Sequence, residues 1–304
     1  MSTTQTTPSV APNAVFDTLK KSILVDGFHL VLDLEKSHGS TMVDARDGRE
    51  YLDFYTFFAS LPVGHNHPKM ADAAFQKKLL RAALANPANS DIYTVEFAEF
   101  VDTFRRVAQR DYLPHAFFVA GGGLGVENAL KAAFDWKVRK NLAKGVRGEF
   151  GSQVLHFKEA FHGRTGYTMS LTNTDPWKVK YFPQFNWPRV EDPKCTFPLE
   201  GAALEAVKGA EACAVAQIQD YCNKFGDDIA ALIIEPIQGE GGDNHFRYEF
   251  MKELRRLANE NEFILIYDEV QNGVGLTGKF WAHEHYADAG ADAIDLSMAP
   301  ASGG

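Results

Sequence analysis

Two short apolar runs, Ala-Ala-Leu-Ile-Ile at 230–234 and Phe-Ile-Leu-Ile-Tyr at 263–267, decide the fold. Each is short and bounded by polar residues, as a buried central strand of a parallel sheet would be. Residues 248–261 between them place apolar side chains at helical spacing. A strand, a helix and a strand in this order imply a right-handed crossover. The sequence therefore predicts an α/β fold with a mostly parallel central sheet and flanking helices.

Further elements are predicted upstream of these strands. Ser90 or Asp91 can cap a helix. The run Ala-Phe-Phe-Val-Ala at 116–120 is a candidate for a short buried strand, and a helix that ends near Lys140 follows the next glycines. Residues 153–157 are another strand candidate.

Three segments are predicted along the chain. Residues 1–20 are polar at their start and are predicted to form a disordered tail. Residues 21–70 mix strand-like runs with turns and are predicted to form an N-terminal segment, part of a small domain. Residues 71–304 alternate helices with apolar runs and are predicted to form the large domain.

The composition is that of an ordinary globular protein and excludes several classes of partner. The 31 basic and 40 acidic residues give a net charge of −9, which disfavours nucleic acid or an anionic membrane as a partner. No run of about 18 apolar residues predicts a membrane span. The polar start is unlike a secretory signal. Three cysteines without metal-ligand spacing favour a reduced, cytoplasmic protein.

Both late strands end in acids. Glu235 follows the first, and Asp268 and Glu269 follow the second. Ligands of open α/β sheets bind at the carboxyl ends of the strands, so these acids are candidates for a binding site. Helix capping or a turn is the alternative for each single acid.

A run of three glycines, 121–123, precedes the predicted helix that ends near Lys140. Glycines let backbone N–H groups approach an anion, and a helix N-terminus adds partial positive charge, so a phosphate fits here. A purely structural tight turn is the alternative. A dinucleotide site is disfavoured because Val126 stands where that motif needs its third glycine.

The run Phe161-His162-Gly163-Arg164 combines an aromatic, an imidazole and a guanidinium. An aromatic ring can stack on a flat cofactor, and an arginine can bind a carboxylate through two parallel hydrogen bonds. Core packing and a surface ion pair are the alternatives, and for His162 a structural hydrogen bond is favoured over acid–base chemistry. No metal-binding or serine-hydrolase pattern occurs, so no metal site is predicted.

Taken in order, these motifs resemble the class III, fold-type I aminotransferases, which use pyridoxal 5′-phosphate (PLP). The runs that carry the resemblance are GGGLGVENALK (121–131), FHGRTGYTMSLTNTDP (161–176), EPIQGEGGDNHF (235–246) and DEVQNGVGLTGKFWA (268–282). Other runs resemble the lysine 6-aminotransferase branch: DGFHLVLDLEKSHGS (26–40), YTFFASLPVGHNHP (55–68), NPANSDIYT (86–94) and FDWK (134–137).

The resemblance implies a role for each candidate residue. Asp268 matches the catalytic acid that pairs with the pyridine nitrogen of PLP, and Gln271 matches the residue at its phenolic oxygen. The other implied cofactor contacts are Gly122 and Gly123 at the phosphate, Phe161 stacked on the ring, and His162 and Glu235 lining the pocket. The implied substrate contacts are Arg164, at the α-carboxylate of lysine, and Glu240, a switch glutamate whose arginine partner lies far downstream. The branch usually has alanine in place of Gly123.

The implied activity is transfer of the 6-amino group of L-lysine to 2-oxoglutarate, giving 2-aminoadipate 6-semialdehyde and glutamate, by a homodimer when the protein is full-length. Residues 71–304 then form the PLP-binding domain. Other class III chemistry, with a different ω-amino donor or a decarboxylation, and a non-catalytic fragment remain alternatives.

The last residues depart from the family pattern. Where the family continues to the lysine that binds PLP covalently, this chain reads AIDLSMAPASGG (293–304), and Lys279 is no obvious substitute. We therefore expect a fold that is incomplete at its C-terminus and a chain that, as it stands, lacks activity.

Overall fold

The computed structural model describes residues 10–88, 90–148, 150–288 and 297–298. The chain divides into two compact units, Met1–Glu99 and Phe100–Gly304. The assignment of residues 21–70 to a small domain and of 71–304 to a large one stays a prediction. No helix among the described residues is long and apolar enough to cross a membrane.

The first unit is built from short elements. In chain order these are a 3-10 turn at Pro12–Ala14, helix α1 (Val15–Leu19), antiparallel strands β1 (Thr41–Val43) and β2 (Glu50–Leu52), the left-handed turn α2 (Thr56–Ala59), a 3-10 turn at Pro68–Ala71, and helices α3 (Ala73–Ala85) and α4 (Val95–Val107), of which α4 continues into the second unit. The hydroxyl of Thr94 accepts a hydrogen bond from the N–H of Phe97 at 3.1 Å. Thr94 therefore caps α4, in place of the predicted Ser90 or Asp91.

Helix α1 lies inside the segment that the sequence predicts to be a disordered tail. The ring of Phe16 stacks on His29 with 4.5 Å between centroids, and the guanidinium of Arg46 lies 5.2 Å from the Phe16 centroid. These partners lie 13 and 30 residues away in the sequence. Because such distant contacts leave no pattern in the neighbouring residues, the sequence did not predict this helix. Residues 1–9 lie outside the described part of the chain.

The second unit contains a five-stranded sheet. Its elements are helix α5 (Gly122–Ala143), strands β3 (Gln153–Phe157) and β4 (Arg189–Val190), helix α6 (Gly201–Phe225), strands β5 (Ile229–Ile234), β6 (Ile237–Gln238) and β7 (Asn244–His245), helix α7 (Tyr248–Asn261), strand β8 (Ile264–Tyr267), helix α8 (Glu284–Asp288) and strand β9 (Ser297–Met298), with 3-10 turns at Thr168–Ser170, Pro176–Lys178 and Gly226–Asp228. The sheet order is β4-β3-β5-β8-β9, and every neighbouring pair is parallel. The predicted parallel α/β fold is confirmed.

One predicted strand is wrong. Residues 116–120 form no strand, and the side chain of Phe117 is 74% exposed. An apolar run of five residues forms a buried strand only where a neighbouring strand pairs with it, and none of the strands that the structure describes pairs with this run.

The sheet buries side chains on both faces, which is why its strands are apolar throughout. Leu232 and Ile234 of β5 join the core formed with α6 and α7, whereas Ala231 and Ile233 face the core formed with α5. Each fully buried leucine or isoleucine contributes about 1.5–3 kcal/mol. This packing fixes the carboxyl ends of β3, β5 and β8 at one edge.

Candidate active site

The two predicted strand-end acids lie side by side at the carboxyl edge of the sheet. Ile234 of β5 is in register with Tyr267 of β8, and the N–H of Asp268 donates to the carbonyl of Ile234 at 2.8 Å. Glu235 and Asp268 therefore leave adjacent strands at the same level. Both side chains are buried, so each needs hydrogen bonds to offset the free-energy cost of removing a carboxyl group from water.

Asp268 is bound to His162. The Nδ1 atom of His162 lies 2.7 Å from Oδ2 of Asp268, and both residues are 2% exposed. Burial alone would lower the pKa of His162. The hydrogen bond to Asp268 and the negative charge of that residue have the opposite and larger effect, so the pKa of His162 is raised. The buried Nε2 atom of His162 has no hydrogen-bond partner among the described residues. The favoured interpretation of His162 as a structural hydrogen-bonder thus fits its contact with Asp268.

The carboxyl group of Glu235 forms hydrogen bonds with two loops, one after β3 and one after β5. Its Oε1 accepts from the N–H of Phe161 at 2.9 Å, and its Oε2 accepts from the N–H of Gly239 at 3.4 Å. Burial raises the pKa of Glu235 to about 8, and the charge of Asp268 adds to this effect. His162, Glu235 and Asp268 form what we call the inner cluster, a set of three buried ionisable groups.

The three glycines 121–123, which we call the glycine turn, pack against the segments that carry this inner cluster. A Cβ built on Gly122 would lie 2.6 Å from a methyl carbon of Val270, two residues after Asp268. A Cβ on Gly123 would lie 3.5 Å from the methyl carbon of Thr165. Helix α5 therefore begins beside the segment that follows Asp268, and the first N–H groups of an α-helix have no partner within the helix.

Gln271 also belongs to this edge. A Cβ on Gly239 would lie 2.1 Å from Oε1 of Gln271, so the amide covers the backbone just after Glu235. The neighbouring Asn272 donates to the carbonyl of Ile237 at 3.0 Å and accepts from its N–H at 2.7 Å. These bonds hold the loop after β8 against the loop after β5.

Glu240 lies at the rim, with a partner that sequence reasoning missed. Its Oε1 contacts the ammonium of Lys178 and accepts from the hydroxyl of Thr174 at 3.2 Å. The same ammonium lies 5.6 Å from the ring centroid of Phe161. Lys178 and Glu240, which we call the outer pair, are separated by 62 residues, and no sequence pattern joins them.

Arg164 is the one predicted site residue that these contacts do not include. Its side chain is exposed and has no hydrogen bond or ion pair with the part of the chain that the structure describes. Two cavities, of about 510 and 240 Å³, lie elsewhere on this unit, and no predicted site residue lines either of them.

Comparison with known proteins decides the family. A profile of the class-III aminotransferases matches residues 24–303. The chain belongs to the class III aminotransferases. An L-lysine-epsilon aminotransferase of Mycobacterium tuberculosis is 51% identical over 274 residues, and one of Streptomyces clavuligerus is 47% identical over 282 residues. These matches cover 90% and 89% of this chain, and 60% and 59% of the respective relatives. The chain thus spans about 60% of the length of the relatives it matches.

A solved structure agrees with this class III assignment. The lysine aminotransferase from M. tuberculosis superposes with a TM-score of 0.88 at 50% identity, covering 91% of this chain and 63% of that one. The predicted fold type I is confirmed, and the cofactor of this family is PLP, as predicted.

The residues of this class III chain fit PLP. The cofactor needs an acid for its ring nitrogen, and Asp268 is buried with its carboxyl hydrogen-bonded to His162. A phosphate needs close backbone N–H groups, and Gly122 begins a helix where a side chain would collide with Val270. Both requirements are met at one edge of the sheet.

Proposed function

We propose that the protein transfers the 6-amino group of L-lysine to 2-oxoglutarate, giving 2-aminoadipate 6-semialdehyde and L-glutamate. The observation that carries the proposal is the buried Asp268–His162 contact, 2.7 Å long, at the sheet edge against which the glycine turn packs. The choice of lysine as the donor is supported by relatives 47–51% identical that are named L-lysine-epsilon aminotransferase.

In this proposal the inner cluster serves the cofactor. Bound PLP supplies an electron sink for the electrons released when the carbon beside the amino nitrogen loses its proton. Asp268 would accept a hydrogen bond from the ring nitrogen and keep that nitrogen protonated, while the contact with His162 holds the Asp268 carboxyl in place. Glu235 accepts a hydrogen bond from the N–H of Phe161 and so holds its backbone, and the aromatic ring of Phe161 would cover the cofactor.

Three further residues complete the proposed cofactor site. Gly122 and Gly123 offer backbone N–H groups at the start of α5 to the phosphate. Gln271 would donate a hydrogen bond to the phenolic oxygen of the cofactor.

Two exposed residues serve the substrates in this proposal. Arg164 binds the α-carboxylate of L-lysine, which directs the 6-amino group at the far end of the chain toward the cofactor. Glu240 adjusts the pocket to a cationic donor and a dianionic acceptor. We further propose a cytoplasmic homodimer, and the three free cysteines are consistent with a reducing compartment.

The test uses the protein at its natural length, PLP, L-lysine and 2-oxoglutarate, and measures glutamate and the semialdehyde. Asp268→Asn is expected to lower kcat on the order of 10²- to 10³-fold, because the amide cannot hold the ring nitrogen protonated. The control is Asp243→Asn, an exposed acid with φ of 53° that asparagine accommodates, and it should leave kcat unchanged.

Two outcomes would overturn the proposal. Amino transfer from 4-aminobutyrate or ornithine that exceeds transfer from L-lysine would replace the donor and keep the family chemistry. Full activity of the Asp268→Asn variant would remove Asp268 from the proposed mechanism.

A further inference from the structure

The larger of the two cavities lies where β4 forms the edge of the five-stranded sheet. Its volume is about 510 Å³, and its walls are residues 184–189, Ser170 and the last turns of α6. Strand β3 separates β4 from β5, and none of the residues that line the cavity belongs to the inner cluster or the outer pair. Small-molecule sites have volumes of about 300–1,000 Å³, so this cavity is large enough for a ligand of its own.

Phe185 gives the cavity an open aromatic face that its neighbours hold in place. Its ring stacks on Trp187 with 4.9 Å between centroids and an angle of 13°, and the ring of Tyr167 packs on it at 5.6 Å. Its N–H donates to the buried hydroxyl oxygen of Ser170 at 2.9 Å. The side chain of Phe185 is nevertheless 52% exposed. A flat ring from a ligand can therefore extend this stack on its open side.

A second aromatic pair forms the wall that α6 contributes. The rings of Tyr221 and Phe225 are stacked, with 6.2 Å between centroids and an angle of 28°. The hydroxyl of Tyr221 donates to the carbonyl of Arg189 at 3.3 Å, which ties the end of α6 to β4. The two walls are thus fixed relative to each other, and both carry aromatic rings.

Two cations adjoin these rings. The Nε atom of Arg189 donates to Nε2 of His156 at 3.1 Å, and its two terminal nitrogens have no partner among the described residues. Burial and, in addition, the charge of Arg189 lower the pKa of His156 to about 3, so this imidazole is uncharged at neutral pH. The ammonium of Lys224 lies 5.0 Å from the ring centroid of Phe225 and has no acidic partner in the described part of the chain. Both positive charges are therefore available to an anion.

We propose that this cavity binds a small aromatic carboxylate. The ring of the ligand stacks on Phe185, and its carboxylate accepts two parallel hydrogen bonds from the terminal nitrogens of Arg189. Helix α6 ends here, and the partial negative charge of a helix C-terminus favours a singly charged carboxylate over a dianionic phosphate. The proposal goes beyond the proposed function and does not depend on it, because the two sites share no residue.

The experiment is a calorimetric titration of the PLP-loaded protein, at its natural length, with indole-3-acetate. We expect binding with a Kd below about 1 mM. Saturating glutarate should leave this Kd unchanged, because glutarate resembles 2-oxoglutarate and would fill the proposed substrate site instead. Indole-3-acetamide keeps the ring and lacks the charge, so it should bind about tenfold more weakly. Indoxyl phosphate, a dianion, should also bind more weakly.

Substitutions separate the charge from the ring. Arg189→Met should weaken indole-3-acetate at least about tenfold and leave indole-3-acetamide within about twofold, a difference that a loss of folding would not produce. Phe185→Leu should weaken both ligands alike, by about three- to fivefold, because it removes the stacking surface. Both variants should keep the wild-type kcat and KM for L-lysine.

The matched control is Arg147→Met, which removes the same charge from an exposed residue that does not line the cavity. Binding should stay within about twofold of the wild type, because a separate exposed charge is screened by salt. Equal weakening by Arg189→Met and Arg147→Met, displacement by glutarate, or no binding of indole-3-acetate would overturn the proposal. Tighter binding of indoxyl phosphate would overturn the assignment of a carboxylate. Failure to transaminate L-lysine would remove only the proposed function.

Discussion

The inner cluster and the outer pair are both built from ionisable side chains, but they differ in burial and therefore in how firmly their contacts are held. His162, Glu235 and Asp268 are between 2% and 4% exposed, whereas Lys178 and Glu240 keep nearly a third of their side chains in water. Buried charges interact strongly and tolerate only one arrangement, while exposed ones exchange partners cheaply. The fold thus buries the ionisable groups of the inner cluster in one fixed arrangement and leaves the outer pair partly exposed to water.

Among substitutions that test this comparison, replacement of His162 is expected to have the largest effect on stability. Replacement by alanine leaves the carboxylate of Asp268 buried without its cationic partner, which should lower the free energy of unfolding by about 3–5 kcal/mol. Urea denaturation of the cofactor-free protein measures this loss.

The conservative replacement tests whether the hydrogen bond is the cause. His162→Asn keeps a donor near the position of Nδ1 and should recover part of the stability that alanine loses. Equal stability of the alanine and asparagine variants would mean that ring packing, and not the contact with Asp268, stabilises this edge. The matching change in the outer pair, Lys178→Met, should alter stability by no more than about 0.5 kcal/mol.

The sequence predicted the inner cluster better than the outer pair, for a physical reason. Asp268 and Glu235 directly follow apolar strands, and parallel strands end at one edge, so a local pattern was enough to bring them together. Lys178 lies in a short turn whose neighbours have no periodicity, and its contact with Glu240 arises only from tertiary folding.

Neighbouring acids show the same limit of sequence reasoning. Glu269 follows Asp268 directly, yet it turns away from the site and accepts hydrogen bonds from the N–H groups of Ala282 at 2.6 Å and His283 at 2.9 Å. Its Oε1 also lies 2.6 Å from Nδ1 of His283. The sequence identified both acids at the strand end, but only the structure distinguishes the one that joins the inner cluster from the one that closes a loop.

A smaller effect is expected at the glycine turn. In Gly122→Ala the new methyl group would lie 2.6 Å from a side-chain carbon of Val270, so the turn must shift, and we expect a loss of about 1–3 kcal/mol in stability together with weaker PLP binding. Thermal unfolding and fluorescence titration with PLP measure the two effects.

Gly123→Ala is the matched control for that glycine. Its methyl group would meet Thr165 at 3.5 Å, an ordinary van der Waals distance, and alanine favours the helix that begins here. Stability should therefore stay the same or rise. Similar losses in both glycine variants would show that helix geometry, and not the approach to Val270, determines the residue at position 122.

The smallest expected effect is the pH dependence that Glu235 adds. Its pKa is about 8 in the folded protein and near 4.5 when unfolded, so between these values only the folded form keeps the proton. The contribution of Glu235 to stability therefore falls as pH rises through this window and levels off above pH 8. Glu235→Gln does not titrate at this position, so its stability relative to the wild type should increase between pH 5 and pH 8, on the order of 1 kcal/mol. Melting temperatures across that range measure the effect.

The control is Glu240→Gln in the outer pair, which should show no such trend with pH. A parallel trend in both variants would mean that burial of Glu235 is not the cause of its pH dependence.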